Sequence, residues 1–369
     1  MPHASASQAR TMAQIRQLCC LGLGPQAIAP PLTRLLLRLI PGLSVTFFFT
    51  DADGELVNFY DENPGTAQVA PLYVDEFYKR RESDVVISIT DGLRLGMVGV
   101  RLGHLLKVDQ RTWERSDLYN LILRPVDYCD AVQVAVRECE RPLGVVKISR
   151  DAGAPEFTTR DLDFLVALEP HLAHAFASLP RVAPLVESDA EENQGLIITD
   201  REGRMRYLSP QARVLLFYAT HAKIAPGKLR SAVKLRLPPA VARLARMLGK
   251  SFEGRAATMP PVHHHENAWG QFVFRAYWLD ALGAEPPLVC IRINREEPLS
   301  VRLMRRMEHL PLSERQLAVS LHVASGLTYE AIAERLGISR STVIFHAQEV
   351  FNKLGIASRA ELQARLMTL

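Results

Sequence analysis

The stretch PLSERQLAVSLHVASGLTYEAIAERLGISRSTVIFHAQEVFNKLGIASRAEL, residues 311–362, determines the fold of the end of the chain. Its pattern predicts four helices, because apolar positions recur at helical spacing and each helix follows a Ser or Thr that can cap free backbone N–H groups. Gly326 and Gly337 stand just past two helix ends, where glycine closes a helix at low cost. Two capping boxes are predicted, Ser313 with Gln316 and Ser358 with Glu361, and Thr328 and Ser339 are the other two caps.

The second and third of these helices are joined by a turn of three residues, Gly337 to Ser339. Two short helices across a tight turn that contains glycine form a helix-turn-helix. On a wheel of about 100° per residue, the third helix has one apolar face, which we expect to pack on Ile332, Ala333 and Leu336. That face is made of Val343, Ala347, Val350, Phe351 and Leu354.

The opposite face of the third helix places Ile344 beside Phe345 among Ser341, Gln348 and Asn352. A solvated face should not show such an apolar pair, and two interpretations stay open. The pair can form a dimer or interdomain contact, as exposed apolar groups often do. Alternatively, the helix lies in the major groove of DNA, with Ile344 or Phe345 against a thymine methyl group and Gln348 on an adenine edge.

Over its full length, about one sixth of the chain, this stretch resembles the LuxR/FixJ-type DNA-binding domain. The agreement comprises Leu312, Arg315, Ala324, Gly326, Ile332, Ala333, Leu336, Ile338, Ser339, Thr342, Val343, His346, Lys353, Leu354, Arg359 and Ala360. Arg340, Ser341, Thr342, His346 and Lys353 would hold phosphates, aided by the amides at the start of the helix. Solvated or capping roles are the alternatives. The complete DNA-binding set is Thr328, Tyr329, Ser339, Arg340, Ser341, Thr342, Ile344, Phe345, His346, Gln348, Asn352 and Lys353.

The stretch departs from the family pattern at basic positions. The family usually has Lys or Arg where Ile344 stands, and often Asn-Lys where Tyr329 and Glu330 stand, so we expect weaker non-specific affinity and a flatter salt dependence. From Val301 to the end the net charge is only +3, from nine Lys/Arg and six Asp/Glu. A unit this weakly basic predicts a symmetric homodimer on an inverted repeat of double-stranded DNA. The resemblance implies residues 360–366 as a dimer surface, with packing inside the domain as the alternative, and RNA polymerase as a further partner.

Two distant segments share one pattern: FFFTDADGELVN at 47–58 and LIITDREGRMRY at 196–207. Each has three apolar residues, then Thr-Asp, then a glycine before a second run, which predicts a hairpin because glycine supplies the positive φ of the turn. Residues 195–216 (GLIITDREGRMRYLSPQARVLL) resemble a PAS domain, and residues 42–178 resemble a GAF-type or second PAS-type sensor. A repeated hairpin is expected of two domains with similar α/β build.

The predicted fold is multidomain α+β, with two GAF/PAS-like antiparallel-sheet sensor domains followed by an all-α four-helix LuxR-type helix-turn-helix domain. We place the first sensor and its N-terminal helices at 1–180, the PAS-like domain at 190–296, a helical linker at 297–309 and the DNA-binding domain at 310–369. Further expectations are helices at 12–23, 32–40 (after a break at Pro30–Pro31), 160–178 and 238–248, a hairpin at 131–149 that turns at 140–144, an acidic linker at 187–192, and strands at 270–278 and 287–293.

Composition fits a soluble protein of two or three domains, since the 369 residues are 48% hydrophobic and 23% charged. The net charge of +4 permits a nucleic-acid partner without requiring one. Five cysteines without CxxC spacing argue against a disulfide framework and a zinc finger. Because no apolar run reaches the roughly 18 residues of a membrane span, we expect a cytoplasmic protein with no membrane partner.

Other signals favour ordinary structure over chemistry. His263 to His265 are expected in a polar loop, because three adjacent residues cannot all face one metal ion. Asp51 and Asp53 fit the hairpin turn better than a phosphoacceptor, and no catalytic constellation is present, so we predict no enzyme, no metal and no cofactor. In the first domain, Arg124–Pro125 and the pair His171 and His174 are pocket candidates for which ordinary packing is favoured.

The sequence thus predicts a sequence-specific transcriptional regulator that responds to a signal, with room for a small-molecule ligand. By hypothesis, the helices at 160–178 and 298–309 transmit the signal by changing dimer geometry. Three alternatives remain: a ligand-independent dimer whose sensor-like domains only dimerise, a quorum-signal receptor of the LuxR type, and an enzyme with an appended DNA-binding domain.

Overall fold

The chain begins with two helices that pack on each other and on the first sheet. The structure, a computed structural model, describes residues 5–178, 184–223, 236–252, 261–283 and 285–368. Helix α1 (Ala6–Cys19) starts at a capping box that Ser5 and Gln8 build, and α2 (Pro25–Leu39) starts with a proline at its first position, where no N–H is needed. Ile15, Leu32 and Leu36 are fully buried between them and the sheet.

Helix α2 continues through Pro30 and Pro31, so the predicted break at these prolines is wrong. A proline leaves the carbonyl four residues earlier without its helical donor. At Pro30 that carbonyl belongs to Gln26, and the buried guanidinium of Arg295 donates to it at 2.7 Å. A tertiary hydrogen bond therefore replaces the missing helical one, and no local sequence pattern reveals it.

The first sheet has five antiparallel strands in the order β2-β1-β5-β4-β3. Their bounds are β1 (Ser44–Thr50), β2 (Leu56–Tyr60), β3 (Gly99–Arg101), β4 (Asp130–Glu138) and β5 (Arg141–Arg150). One face is covered by short helices, α3 (Thr66–Leu72), α4 (Ile89–Arg94), α5 (Leu102–Leu105) and α6 (Gln110–Arg115), with 3-10 and π turns between them. The long helix α7 (Thr159–Ala177), predicted from its periodicity, packs against β4, and its Leu165, Leu168 and Leu172 are fully buried.

The second sheet repeats this architecture, with strand order β8-β7-β11-β10-β9. Between β5 and this sheet lies β6 (Leu185–Val186), followed by β7 (Gln194–Thr199), β8 (Met205–Leu208), β9 (Val262–Asn267), β10 (Gly270–Leu279) and β11 (Leu288–Arg295). Helices α8 (Pro210–Thr220) and α9 (Pro239–Phe252) pack on it, and β12 (Glu297–Pro298) pairs with β6. The common strand order confirms the repeat predicted from the two hairpin motifs.

The two hairpin turns agree at the level of single hydrogen bonds. Asp51 Oδ1 accepts from the N–H groups of Asp53 and Glu55 at 3.0 and 2.9 Å. In the second domain, Asp200 Oδ1 accepts from the N–H groups two and four residues later at 3.1 and 2.8 Å. Gly54 and Gly203, at φ of 78° and 81°, supply the left-handed conformation in each turn. The aspartates are turn residues, as the hairpin interpretation requires.

An aromatic interface joins the two domains. The rings of Tyr60 and Tyr218 stack with centroids 5.0 Å apart, and Trp269 lies 6.0 Å from Phe49. The backbone N–H of Asp61 donates to the Tyr218 hydroxyl at 2.7 Å. All five residues are buried, and one hydrophobic core extends across both sheets.

The C-terminal part is helical and has a core of its own. Helix α10 (Leu299–Met307) leads into α11 (Glu314–Ala324), α12 (Tyr329–Leu336), α13 (Arg340–Leu354) and α14 (Arg359–Thr368). Ser313, Thr328 and Ser339 cap their helices as predicted, and Gly337 adopts φ of 62°. The second capping box is altered, because the Glu361 carboxylate accepts from the N–H of Ala357 at 2.8 Å instead of the cap residue.

Two further expectations differ from the structure, and one strand was not foreseen. The hairpin at 131–149 turns at Cys139 and Glu140, and Gly144 lies within β5, where a side chain would meet the Phe48 carbonyl oxygen at 2.1 Å. His263 to His265 belong to strand β9, so the predicted polar loop is wrong. The short edge strand β3 was not expected.

No helix among the described ranges is both long and apolar enough to cross a membrane.

Candidate nucleic-acid interface

The third helix of the C-terminal domain, α13, is anchored by the apolar face that the sequence predicts. Val343, Ala347, Val350 and Leu354 are buried, and the core that they enter also contains Ile332 of α12. Burying four side chains at helical spacing fixes the rotation of α13 about its axis. The rotation in turn determines which side chains face outward.

The outward side of α13 presents the apolar and amide groups expected there. Phe345 is 57% exposed, Ser341, Gln348 and Asn352 are exposed, and Ile344 is half-buried. The Phe345 ring contacts His346 edge-on, with centroids 5.5 Å apart, and more than half of the residue stays open to solvent between polar neighbours.

The start of α13 carries the predicted phosphate contacts. Ser339 Oγ accepts from the N–H of Thr342 at 3.1 Å and lies 2.8 Å from the Ser341 hydroxyl. Arg340 forms an ion pair with Glu330 of α12, and both side chains are more than 60% exposed. Because both side chains face solvent, the pair contributes little to stability and leaves Arg340 accessible. A backbone hydrogen bond, and next the hydrogen bond from Arg340, lower the pKa of Glu330.

The end of α13 is held differently. Lys353 Nζ donates to Gln316 Oε1 at 2.9 Å, and Gln316 Nε2 donates to Glu349 at 2.9 Å. Gln316 Oε1 also accepts from the N–H of Ser313 as part of the α11 capping box. Lys353 therefore ties α13 to the start of α11, a contact that sequence reasoning missed.

The remaining predicted residues lie at the edge of the surface. Tyr329 is half-buried with the Arg359 guanidinium 5.3 Å from its ring centre, and Thr328 caps α12. His346 is half-buried, and its buried Nδ1 has no hydrogen-bond partner within the part of the chain that the structure describes. Every predicted DNA-binding residue is exposed or half-buried, so each is accessible in the single chain.

Helix α14 packs inside its own domain along one side. Leu362 and Leu366 are fully buried, and Gln363 Nε2 donates to the Ala324 carbonyl at 2.8 Å. Ala360 and Glu361 are exposed on another side. The helix thus combines internal packing with a free side, and its use as a dimer surface stays a prediction.

Helix α10 connects the N-terminal part of the chain to this domain through a charged cluster. Asp189 pairs with Arg302, Arg305 and Arg306, and Arg305 also pairs with buried Glu297 at 2.7 Å. Partial burial alone would raise the pKa of Asp189, but the hydrogen bond from Arg306 and the surrounding guanidinium charges lower it. The sequence shows the acidic stretch as a linker, whereas the structure shows that it binds the arginines of α10.

The N-terminal helix also reaches this domain. Arg10 donates to the carbonyls of Glu308 and Leu310 at 2.8 and 2.9 Å, and Arg38 of α2 forms an ion pair with Glu308. Val301 of α10 belongs to the core that spans both sheets, while Leu303 and Met307 belong to the C-terminal core. The linker helix is therefore shared between both halves.

Comparisons with known proteins agree with this geometry. Residues 310–366 match the luxR family of bacterial regulatory proteins. Fimbriae Z protein of Salmonella typhimurium is 40% identical over 53 residues, 14% of this chain and 25% of that protein. Probable transcriptional regulatory protein SgaR of Hyphomicrobium methylovorum is 39% identical over 74 residues, 20% of this chain and 30% of that protein. The C-terminal part is a LuxR-type helix-turn-helix domain, and the chain spans less than a third of either curated relative.

Among solved structures, the phage VqmA–DPO complex is 18% identical, with 48% of this chain and 84% of that chain covered at a TM-score of 0.17. The E. coli DhaR(N)–DhaL complex is 11% identical, with 80% and 92% covered at a TM-score of 0.26.

Proposed function

We propose that the chain is a sequence-specific DNA-binding transcriptional regulator that acts as a dimer in the cytoplasm and responds to a signal through its two sensor domains. The observation that carries the proposal is the outward side of α13, where Phe345 stands open beside Gln348 and Asn352 within a LuxR-type domain. We propose no catalytic role for the chain.

In this proposal α13 enters the major groove. Ile344 or Phe345 contacts a thymine methyl group, and Gln348 pairs with an adenine edge. Arg340, once released from Glu330, contacts phosphate. The other phosphate contacts come from Ser341, Thr342, His346 and Lys353. The residues that border the groove are Thr328, Tyr329, Ser339 and Asn352.

The modest charge of the domain supports a dimer. With a net charge of +3 from Val301 onward, one copy has little electrostatic attraction to add to its base contacts. Two copies on an inverted repeat double the contacts and make the spacing of the two α13 helices part of recognition. The exposed side of α14 is the proposed dimer surface, and RNA polymerase is the partner that the family resemblance adds.

The signal would pass through α10. Because its arginines bind Asp189 and its apolar side enters both cores, a shift of the sensor half moves α10 and the helix-turn-helix together. The proposed mechanism assigns sensing to residues 1–180 and 190–296, transmission to residues 297–309 and DNA binding to residues 310–369.

The experiment has two stages. DNA bound by the full chain is first selected from a random pool, and affinity for the selected site is then measured by fluorescence anisotropy. We expect Phe345→Ala to weaken binding about tenfold or more, since a lost base contact costs about 1–3 kcal/mol. Phe252 of α9 is the matched control, because it is 58% exposed but lies in the sensor half, so Phe252→Ala should leave affinity unchanged. Selection of no sequence, or equal affinities of the two variants, would refute the proposal.

A further inference from the structure

The first sensor domain contains a cavity of about 140 Å³ between its sheet and the short helices over it. A cavity of roughly 150 Å³ is large enough to hold a benzene ring. Most of the lining is apolar, including Phe48 and Phe59 from the sheet and Leu105, Trp113 and Ile122 from the helices. The sequence candidates Arg124, Pro125, His171 and His174 are not among the lining residues.

Lys147 is the cationic side chain of this lining. It lies on β5, in the middle of the sheet, opposite Thr46 of β1 and Gln133 of β4. No hydrogen bond or ion pair from the described residues reaches its Nζ, which lies 5.3 and 5.8 Å from the ring centres of Phe48 and Tyr128. Burial lowers the pKa of Lys147, against the opposing effect of two carboxylates, Asp61 and Glu82. The ammonium is therefore in cation–π contact with two rings but has no hydrogen-bond acceptor among the described residues, which leaves a polar group in an apolar lining unsatisfied.

The two nearby carboxylates are already occupied by other donors. Asp61 accepts from three hydroxyls at 2.6–2.7 Å and from one backbone N–H at 2.8 Å. Glu82 accepts from the Tyr73 hydroxyl at 2.8 Å and the N–H of Lys79 at 2.9 Å. The donors to Asp61 are Ser44, Thr46, Tyr128 and Asn63. These carboxylates compensate the charge of Lys147 from a distance, so an anionic ligand would bring a third negative charge into the region.

A second polar group in the lining also lacks a partner. Ser149 is 1% exposed and lies two residues after Lys147 on the same strand, so both side chains point to the same face. Its Oγ has no hydrogen-bond partner among the described residues. Buried hydroxyls are normally paired, and two unpartnered polar groups that line one apolar cavity indicate a ligand with matching polar atoms.

We propose that this cavity binds an uncharged single-ring molecule whose carbonyl or hydroxyl oxygen accepts a hydrogen bond from Lys147 Nζ and whose second polar atom, where present, meets Ser149. The proposal deepens the proposed function, on which it rests for its role as a signal. The volume does not accommodate a long acyl chain. The cavity therefore disfavours a quorum signal that consists of a lactone with such a chain.

The test measures the thermal unfolding midpoint, Tm, of the full chain with four single-ring probes. p-Cresol and benzamide carry a neutral acceptor oxygen, toluene has none, and benzoate is anionic. A ligand that binds only the folded state raises Tm by mass action. At about 5 mM we expect p-cresol or benzamide to raise Tm by about 2–5 °C, toluene by less, and benzoate not at all.

Three variants assign the effect. Lys147→Met keeps the apolar stem and should reduce the p-cresol and benzamide shifts to that of toluene. Lys107→Met is the matched control, because Lys107 lies outside the cavity and binds the Ser83 carbonyl at 3.0 Å, so all shifts should persist. Ala131→Leu fills the cavity from the sheet side and should abolish every shift, which keeps the test decisive if Lys147→Met does not fold.

The proposal is overturned if no probe raises the Tm of the wild type, if benzoate raises it most, or if Lys147→Met keeps the full shifts. DNA binding by the same preparations is measured separately. Intact probe shifts without selected DNA would refute the proposed function and leave the binding site standing. Selected DNA without probe shifts would refute the binding site alone.

Discussion

The two sheet domains share one strand order and one hairpin turn, yet the space beside each sheet is filled differently. In the first domain Lys147 pairs across the sheet with Thr46. When the two Thr-Asp turns are superimposed by sequence, the corresponding pair in the second domain is Ile293 and Gly195. Ile293 is fully buried, whereas Lys147 lines a cavity.

Helix α8 explains the difference. A Cβ atom on Gly195 would lie 2.5 Å from the backbone of Ala212, so the glycine lets α8 lie directly on the sheet. Thr46, at the equivalent position of the first domain, donates a hydrogen bond to Asp61. The short helices of that domain form a separate small core. With the same strand order, α8 packs directly on the second sheet, whereas a cavity lies between the first sheet and its short helices. The difference depends on a few inward-facing positions.

Exchanging the key residues gives the largest expected effect. Ile293→Lys would bury an ammonium in a filled core, and we expect a loss of about 4 kcal/mol of stability, or failure to fold, because an unpaired buried charge is that costly. The reverse change, Lys147→Ile, should cost no more than about 1 kcal/mol, since the neighbouring carboxylates keep their own donors. Urea unfolding of both variants measures the difference, and comparable losses would show that the two positions are not distinct environments.

Adding volume sharpens the same contrast with a smaller effect. Gly195→Val would push α8 away from the sheet and should cost about 2–3 kcal/mol, as overpacking does. Ala131→Leu, on the cavity side of the first sheet, should change stability by less than about 1 kcal/mol because space is available. The urea unfolding midpoints of the two variants are compared, provided that the dependence of unfolding free energy on urea concentration is unchanged. Unchanged stability of Gly195→Val would contradict the close approach of α8.

Local signals account for what the sequence predicted well. Ser313, Thr328 and Ser339 cap helices through hydrogen bonds that span only three residues, so the helix-turn-helix is legible without tertiary information. The hairpin turns are equally local, since Asp51 and Gly54 act within five residues. For the surface of α13, the sequence pattern determined which residues face outward, because the buried face of a helix implies the other.

Long-range contacts account for some of the failures. The proline break in α2 was wrong because the compensating donor, Arg295, is 269 residues away. Strand β9 was missed for a local reason, because its three histidines lack an apolar alternation, although it pairs with the next strand, β10, across a short turn. The cavity was missed too, although one signal was present: Lys147 interrupts the apolar run from Val145 to Ile148, where a charge has no local reason to be.

The boundary between the domains yields the smallest effect, through the acidity of Glu62. Burial, and then the negative charge of Glu192 in the second domain, raise the pKa of Glu62 to about 8, against the hydrogen bond that the Tyr60 hydroxyl donates at 2.9 Å. A raised pKa in the folded state means that the protonated form is favoured there. The resulting stability is complete below the ordinary glutamate range and is lost as pH rises toward about 8.

Glu62→Gln imitates the protonated side chain and should remove this pH dependence. We expect the Tm of the variant to exceed that of the wild type by about 3 °C at pH 8 and to match it at pH 5, a modest change because Glu62 keeps some contact with solvent. Glu55→Gln is the control, since that carboxylate lies in the first hairpin, away from the domain boundary, and pairs with Lys79 and Arg94. A Tm difference for Glu62→Gln that stays constant with pH would mean that the carboxylate is ionised throughout. The boundary between the two domains would then contain an ionised Glu62 carboxylate whose charge another group neutralises.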